Sequence, residues 1–323
     1  MKVEQSNLVS ANDAALKNIV SAIVICTDRL QEAIECIASL DLLGDLLGEA
    51  LLLKNAPKEP WPENAFDHVS QKVRGKLRIV ESEERVFPTT GRNRLASIAS
   101  GDIFLFLDDD SLILSRSGIV AGVSILKSDP AVGSIAFPQS TKSGEVSASA
   151  QPAPVNYPCY ACGFMTCAAL VKASVYRELG GFQELLQMAH EENEFCKRQW
   201  DLGLAVVYLP MTCIAHEPTP TARNSSQRFM LNARNSWYQA VLHEPLWLLA
   251  ITIAPRFIRA IQYLRHSVSY VGGNWISLYF QAIRGFLKDL PYLVINRRAL
   301  KIATFRKWQR MKTEYPAYRS FQG

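Results

Sequence analysis

Four short, largely apolar runs mark the first part of the chain, at residues 19–26, 50–53, 76–80 and 103–107. Segments with helical spacing separate some of these runs. Strands that are apolar on both sides are expected when helices cover both faces of a parallel sheet. The pattern therefore predicts a doubly wound α/β sheet in the N-terminal half. Ligands of such sheets bind beyond the carboxyl ends of the strands.

The pattern becomes mixed after residue 111. It predicts helices near 118–128, 170–179 and 190–202, and strands at 132–137 and 204–209. Residues 240–323 are predicted to be helical.

Charge is divided unevenly along the chain. Residues 241–323 contain 13 Lys and Arg against three Asp and Glu, a balance of +10, which leaves −5 for residues 1–240. A basic surface for a partner is therefore expected at the C-terminal end. The N-terminus lacks the apolar core of a signal peptide, and no segment has the composition of a membrane-spanning helix. We expect a cytoplasmic chain.

The seven cysteines are scattered and odd in number, which favours reduced thiols over a disulfide framework. Cys159 and Cys162 form the tightest pair. A zinc site needs further ligands at suitable spacing, and a redox motif needs a helix after a strand, whereas this pair lies in a Pro-rich loop. We therefore interpret the pair as structural.

Three adjacent carboxylates, Asp108, Asp109 and Asp110, follow the buried run at 103–107 directly. Like charges a few ångströms apart repel by about 1 kcal/mol in water and by several times that in a cleft. A divalent cation is a natural neutraliser, and oxygen ligands suit Mg²⁺ or Mn²⁺. The alternative is a solvated acidic turn or a helix N-cap. Taken alone, the cluster leaves both interpretations open.

Two blocks of motifs surround and follow this cluster. The first block is Gly91-Arg92-Asn93, Ala99-Ser100-Gly101-Asp102-Ile103 and Leu107-Asp108-Asp109-Asp110. The second block is Gly163-Phe164-Met165, Leu179-Gly180-Gly181-Phe182, His190-Glu191-Glu192-Asn193-Glu194-Phe195, Arg198 and Gly203, followed by His216 and Arg234-Asn235. In order and spacing, these motifs resemble those of family 2 glycosyltransferases. Such enzymes have the GT-A fold and move a sugar from a nucleotide donor.

The resemblance covers about residues 19–240 and implies a fold and an activity. The implied fold is α/β: a Rossmann-like, mostly parallel sheet with flanking helices, followed by a C-terminal helical region. The implied domains are a GT-A domain at 1–240, with a nucleotide-binding part at about 19–111 and an acceptor part at about 112–240, and a basic helical region at 241–323. The implied activity is inverting transfer, dependent on Mn²⁺ or Mg²⁺, to a glycan or lipid-linked saccharide in polysaccharide biosynthesis.

The resemblance also implies roles for individual residues. Asp110 would bind the metal, with Asp108 and His216 completing its shell. Donor contacts are expected from Thr27, Arg29, Asn55, Arg92, Asp108, Asp109 and Arg223. Glu192, or failing it Glu191, would be the general base that accepts the proton of the acceptor hydroxyl. Gly163, Gly181 and Arg234 would lie on the acceptor side.

Several of these residues also have structural interpretations. Acids at 191 and 192 are favourable in the first turn of any helix through its dipole. A lone histidine such as His216 is often a satisfied structural residue, and Arg92 and Arg223 can be ordinary surface charges.

The sequence departs from the family pattern at the end of the second strand. The family usually has an Asp there that contacts the nucleobase, whereas this chain has Lys54 and Asn55. The nucleotide of the donor therefore stays open. Gln183 replaces the Asp of the Gly-Gly-Phe-Asp signature, and Glu191-Glu192 replaces a Glu-Asp pair.

Two amphipathic stripes follow in the basic C-terminal region. Phe257, Ile261, Leu264 and Val268 recur with helical spacing, as do Ile276, Phe280, Ile283 and Leu287. One interpretation is that these helices pack on the catalytic domain or on another subunit of a homo-oligomer. The other is that they lie on an anionic membrane surface. Trp and basic residues accompany the stripes and suit a membrane surface. Because the resemblance implies a lipid-linked acceptor, we expect a peripheral protein on the inner face of the membrane.

Two other classes of function compete with glycosyl transfer. A nucleotidyltransferase generally has a Gly-rich phosphate loop after its first strand, and Thr27-Asp28-Arg29 contains no glycine. A non-enzymatic membrane-binding module would use the basic tail alone. Nucleic acid is not expected as a partner, because no recognisable nucleic-acid motif is present.

Overall fold

The computed structural model describes residues 16–147, 151–216, 225–271 and 273–319. Its centre is an eight-stranded sheet with the strand order β3-β2-β1-β4-β8-β6-β9-β7. These strands are β1 (Val20–Cys26), β2 (Leu47–Asn55), β3 (Leu77–Ser82), β4 (Ile103–Phe106), β6 (Val132–Ala136), β7 (Cys159–Tyr160), β8 (Ala169–Lys172) and β9 (Ala205–Tyr208). A second, two-stranded sheet pairs β5 (Ser111–Ile113) with β10 (Ile214–His216).

The helices flank the sheet and continue beyond it. They are α1 (Leu30–Ser39), α2 (Gln71–Arg74), α3 (Pro88–Ile98), α4 (Arg116–Ser128), α5 (Ala173–Glu178), α6 (Glu191–Asp201), α7 (Ser225–His243), α8 (Leu246–Val271), α9 (Trp275–Ile295) and α10 (Ile302–Glu314). Short 3₁₀ turns occupy Leu40–Leu46 and Glu184–Leu186.

The first four strands of the sheet, β3, β2, β1 and β4, run parallel to one another. Strand β8 runs antiparallel between β4 and β6, and the short β7 pairs antiparallel with β9 at the edge. Every residue of β4 is buried, as expected for a strand that has neighbours on both sides and helices above and below. The predicted α/β class, with a mostly parallel sheet, flanking helices and a C-terminal helical region, is confirmed.

The prediction of one helix over 170–179 is wrong in its first part. Residues 169–172 form β8, which bonds to β4 on one side and to β6 on the other, and only residues 173–178 are helical. Ala169, Leu170 and Val171 are fully buried. Such a short apolar run becomes a strand because it pairs with two distant strands. The local spacing of its apolar residues does not predict this pairing.

Two apolar cores hold the molecule together. The first fills both faces of the sheet and also includes Trp308 and Met311 of α10. The second lies between α7, α8 and α9, where Trp237 stacks on Phe257 with ring centroids 4.2 Å apart. The predicted domain boundary at residue 240 falls inside α7, and the division of the chain there stays a prediction.

Two further observations concern the whole fold. All seven cysteines are free thiols. Within the described ranges, no helix combines the length and the apolar character that a membrane crossing requires.

Candidate active site

The acidic cluster lies in a tight turn at the carboxyl end of β4. The amide of Ser111 donates to the carbonyl of Asp108 at 3.0 Å, and the amide of Asp108 donates back to Ser111 Oγ at 3.2 Å. Ser111 Oγ in turn donates to the carbonyl of Cys167 at 3.0 Å. A serine directly after the cluster thus fixes the turn, so that three acidic side chains are held next to one another at the sheet edge.

The small second sheet brings His216 to this turn. Strand β10 pairs antiparallel with β5, and their register places His216 opposite Ser111. The imidazole Nδ1 lies 2.8 Å from the side-chain oxygen of Gln139. Because an amide oxygen only accepts, Nδ1 donates to it, and Nε2 lies on the other side of the ring.

This Nε2 atom faces two carboxylates. Nε2 of His216 lies 3.2 Å from Asp110 Oδ1 and 3.6 Å from Asp108 Oδ2. One ligand atom from each of the three residues lies within 4.8 Å of the others. Three potential ligand atoms that converge in this way could hold a cation between them. Two carboxylates and an imidazole suit a divalent metal ion such as Mn²⁺ or Mg²⁺.

Arg29 neutralises the side of the cluster that faces away from His216. Its guanidinium forms two hydrogen bonds to Asp109, one of them from Nε at 3.1 Å, and a third to Asp110 Oδ2 at 2.5 Å. Burial raises the pKa of Asp109 to about 7, with Arg29 opposing the rise and the two neighbouring aspartates adding to it. Asp109 is therefore committed to Arg29 and does not belong to the three ligand atoms that converge.

Asp108, Asp110 and His216 form what we call the metal corner, and Arg92 links it to the start of α6. It is buried, it donates to Asp108 Oδ1 at 2.6 Å, and its Nη1 lies 3.7 Å from Glu191 Oε1. A buried arginine between two acids is not an ordinary surface charge, so the structure contradicts the surface interpretation of this residue. Arg92 holds the orientation of Asp108 and places Glu191 at a fixed distance from it.

Glu191 and Glu192 have different surroundings although they are adjacent at the beginning of α6. Glu191 is buried, and its Oε2 has no hydrogen-bond partner among the described residues. Burial raises the pKa of Glu191 well above its usual range, the charge of Glu192 adds to this effect, and Arg92 opposes it. Glu192 is half-buried and accepts a hydrogen bond from Thr166 Oγ1 at 3.0 Å. Glu192 is therefore the more accessible carboxylate of the two.

The loop before Glu191 is strained, and a residue of α7 stabilises it by hydrogen bonds. Gln187, Ala189 and His190 have positive φ angles of 64°, 68° and 72°, a conformation that costs energy for residues other than glycine. Asn235 compensates by placing Nδ2 within hydrogen-bonding distance of the carbonyls of Leu186, Met188 and Ala189, at 2.7, 2.9 and 2.8 Å.

The neighbouring Arg234 supports the same loop. Its Nη2 donates to the carbonyl of Leu185 at 3.0 Å, and its guanidinium lies over the ring of Tyr238. The Arg-Asn pair thus fixes the approach to the glutamates. The acceptor contact expected for Arg234 stays a prediction.

Thr27 and Asn55 meet at the carboxyl ends of β1 and β2, as the predicted sheet requires. Asn55 Nδ2 donates to Thr27 Oγ1 at 3.0 Å and to the carbonyl of Val86 at 3.0 Å, and its Oδ1 accepts from the amide of Val86 at 2.8 Å. The amide of Asn55 therefore joins two loops at the sheet edge. Its contact with a donor stays a prediction.

The two acceptor-side glycines occupy different places. Gly163 is buried beside α6, where Asn193 and Cys196 are the nearest side chains. Gly181 has a φ of 74°, and a Cβ there would lie 2.4 Å from Asn93 Oδ1. Asn93 Oδ1 accepts from the amide of Phe182 at 2.9 Å, so the glycine allows a close turn around this asparagine. Arg223 lies outside the described residues.

The sequence motifs missed two residues of the site, Thr166 and Gln139. Thr166 lies three residues after Gly163 and donates a hydrogen bond to Glu192. Gln139 follows β6 and accepts a hydrogen bond from Nδ1 of His216. Gln139 lies 77 residues from His216 in sequence. Neither residue has a spacing signal, because both contacts arise from the way distant loops meet at the sheet edge.

Comparisons with known proteins extend the description of the fold. No protein-family model matches the sequence, and no curated protein matches it significantly. A mannosyltransferase of Pyrobaculum calidifontis, solved with GDP-Man and Mn²⁺, is similar in structure over 94% of this chain and 88% of its own, with 15% identity and a TM-score of 0.53.

Two further solved structures are similar. GalNAc-T7 with UDP, GalNAc and Mn²⁺ matches over 87% of this chain and 58% of its own, with 14% identity and a TM-score of 0.55. TarS 1–349 of S. aureus with UDP-GlcNAc matches over 93% of both chains, with 14% identity and a TM-score of 0.51. At these identities the likeness concerns the fold, and it confirms the predicted GT-A architecture.

Proposed function

We propose that the protein transfers a glycosyl group from a nucleotide-sugar donor to a hydroxyl group of a glycan or lipid-linked saccharide, in the manner of family 2 enzymes. One observation carries the proposal. The carboxylates of Asp108 and Asp110 converge with Nε2 of His216 at the carboxyl edge of a GT-A sheet, and an accessible glutamate lies at the start of the neighbouring helix α6.

Asp108, Asp110 and His216 are the residues that would hold Mn²⁺ or Mg²⁺. Such an ion, when bound, supplies positive charge for the negative charge that develops on a departing diphosphate. The structural neighbours solved with GDP-Man and with UDP-GlcNAc support a nucleotide sugar as the donor. Arg29 and Arg92 orient the carboxylates of the site, and Arg223 remains a proposed contact of the diphosphate.

Glu192 is the proposed general base. Glu192 is half-buried and accepts from Thr166 with Oε1, which leaves the other carboxylate oxygen for the proton of the acceptor hydroxyl. Glu191 is less suited because burial favours its protonated form. Direct attack of the acceptor hydroxyl on the anomeric carbon in a single displacement inverts its configuration, so we propose an inverting reaction.

The experiment has two stages. Thermal shift with UDP- and GDP-sugars in the presence of Mn²⁺ first identifies the donor, since a ligand at 100 times its Kd stabilises by about 2.7 kcal/mol. Turnover is then measured for Glu192→Gln, with the exposed Glu178→Gln as the matched control. We expect turnover of Glu192→Gln to fall by about 10²-fold or more with unchanged donor affinity, and Glu178→Gln to behave like wild type.

Two results would contradict the proposal. If the turnover of Glu192→Gln stayed within a few-fold of the wild-type value, Glu192 would not be the general base. Release of pyrophosphate from a nucleoside triphosphate and a sugar 1-phosphate, with no release of nucleoside diphosphate from the nucleotide sugar, would identify a nucleotidyltransferase.

A further inference from the structure

Large apolar side chains are exposed mainly on α8, α9 and the segment that follows them. The exposed residues there are Leu246, Trp247, Ile251, Ile258, Ile276, Phe280, Leu287, Tyr292, Val294, Ile295 and Ile302. Scattered single residues of this kind are normal on a protein surface, but a concentration on two neighbouring helices indicates a surface that contacts something.

Helix α9 has two separate apolar faces. Ala282, Phe286 and Leu293 are buried in the core shared with α7 and α8. On the other side, Ile276, Phe280, Leu287 and Val294 follow one another at i, i+4, i+11 and i+18, and each is between 48% and 63% exposed. A helix that packs on a core with one face usually has polar residues opposite it. The second stripe of α9 therefore requires an apolar environment other than the core of this chain.

Helix α8 repeats the arrangement. Ala260 and Leu264 are buried in the same core, whereas Trp247, Ile251 and Ile258 are between 57% and 66% exposed at i, i+4 and i+11. The two helices pack against each other as well as against α7. We call the exposed sides of α8 and α9, defined by these three residues and the four of α9, the α8–α9 surface.

The charge of this region is strongly one-sided. Residues 246–302 contain eight Lys and Arg and one acid, Asp289. That acid is half-buried and accepts a hydrogen bond from the hydroxyl of Tyr238 at 2.5 Å. Arg259, Arg265, Arg284 and Lys288 are exposed on the two helices. An occupant of the α8–α9 surface therefore has to be apolar and negatively charged at once.

We propose that the α8–α9 surface binds peripherally to the anionic surface of a lipid bilayer. The acyl region takes the apolar stripes, and the headgroups take the arginines and Lys288. A partner protein would need an acidic rim around an apolar groove to give the same combination, whereas an anionic bilayer offers both everywhere on its surface. The proposal is independent of the catalytic chemistry, because none of its residues contacts the metal corner or the two glutamates.

The test is co-sedimentation of the full chain with vesicles of neutral phosphatidylcholine or of phosphatidylcholine with 30% phosphatidylserine. We expect binding to the anionic vesicles, a decrease as salt rises from about 50 to 300 mM, and little binding to neutral vesicles. Phe280→Glu/Leu287→Glu should lower the partition coefficient by about tenfold or more, since it replaces apolar area by repelling charge. Leu42→Glu/Leu202→Glu, at exposed apolar positions on the sheet domain, should leave it within twofold.

A charge variant separates the two parts of the proposal. Arg284→Gln/Lys288→Gln should reduce binding to anionic vesicles by about tenfold at low salt, and the exposed pair Lys58→Gln/Lys72→Gln should reduce it much less. Equal, negligible pelleting of wild type with both vesicle types would overturn the proposal. A second result would also overturn it: wild type forms a dimer in sedimentation velocity, Phe280→Glu/Leu287→Glu dissociates that dimer, and wild type does not bind vesicles. The α8–α9 surface would then bind a second copy of the chain. Circular dichroism and the thermal midpoint confirm that each variant is folded.

Discussion

Two buried clusters of acids, arginine and histidine lie close together in this molecule, and they differ in how their charges are matched. The metal corner consists of Asp108, Asp110 and His216 with their arginines. The second, which we call the Glu194 cluster, consists of Glu194 and Arg198 on α6, one turn and two turns after Glu191, and His243 at the end of α7. Both contain the same types of side chain.

The Glu194 cluster is fully matched. Glu194 Oε1 accepts from Arg198 Nε at 2.8 Å and faces His243 Nε2 at 2.9 Å, while Oε2 accepts from Arg198 Nη2 at 2.7 Å. The other nitrogen of His243 faces the carbonyl of Arg298 at 3.0 Å. Burial alone would raise the pKa of Glu194, but Arg198 and His243 together lower it to about 2.

The metal corner is arranged differently around its histidine. Nε2 of His216 lies near the oxygens of two carboxylates, 3.2 Å from Asp110 Oδ1 and 3.6 Å from Asp108 Oδ2. A buried charge therefore does not by itself identify a functional site. What distinguishes the metal corner is that two carboxylates converge on one imidazole nitrogen, an arrangement of ligand atoms in which a divalent cation could bind.

The largest expected effect on stability comes from Glu194→Gln. This change removes the buried carboxylate that pairs with Arg198 and lies against His243, and it should lower the free energy of unfolding by about 3–5 kcal/mol. Asp110→Asn relieves repulsion and leaves Arg29 paired with Asp109, so it should cost less than about 1 kcal/mol. Urea unfolding measures both. Equal losses in the two variants would remove the distinction between the clusters.

A smaller effect is expected from Asn235→Ala, which removes the support of the strained loop before Glu191. Its loss leaves loop carbonyls without a donor and should cost about 1–3 kcal/mol in urea unfolding. Turnover should fall as well, because the loop positions the first turn of α6. The exposed Asn64→Ala, on a loop of the sheet domain, is the control and should change neither quantity. Wild-type turnover in a destabilised Asn235→Ala would show that the loop is not needed to place the glutamates.

The smallest effect is the pH dependence of the Glu194 cluster. Because the pKa of Glu194 is lowered to about 2 from an ordinary value of 4.5, its ionised form stabilises the folded state above that ordinary value. This contribution is lost as the pH falls from there through the folded value. The stability difference between wild type and Glu194→Gln should therefore shrink by about 1 kcal/mol between pH 6 and pH 3.5. A constant difference over this range would contradict the lowered pKa.

The sequence predicted those parts of the site that depend on neighbouring residues. Asp108 and Asp110 follow a run that is apolar throughout, and such a run becomes a central strand whose end lies at the ligand edge. Gly101, just before β4, is another residue whose role depends on its neighbours. A Cβ there would lie 2.8 Å from the carbonyl of Ile19, so a larger residue would keep β4 from approaching β1.

Long-range contacts could not be predicted in this way. Gln139 orients His216, and His243 pairs with Glu194 from 49 residues away. Neither pairing leaves a periodic or spaced pattern in the chain. The sequence motifs consequently placed Glu191, Glu192 and Glu194 in one segment, but they did not separate a half-buried carboxylate in the cleft from one that is fully paired. The three glutamates are distinguished only by the residues that each side chain contacts in the structure.

The most direct test of the metal corner is Mn²⁺ binding by isothermal titration calorimetry, with the nucleoside diphosphate of the identified donor present. The account predicts that wild type binds one Mn²⁺ ion and that Asp110→Asn and His216→Ala each weaken binding by about tenfold or more, whereas the exposed Asp102→Asn binds like wild type. Mn²⁺ binding by Asp110→Asn and His216→Ala with wild-type affinity would contradict it.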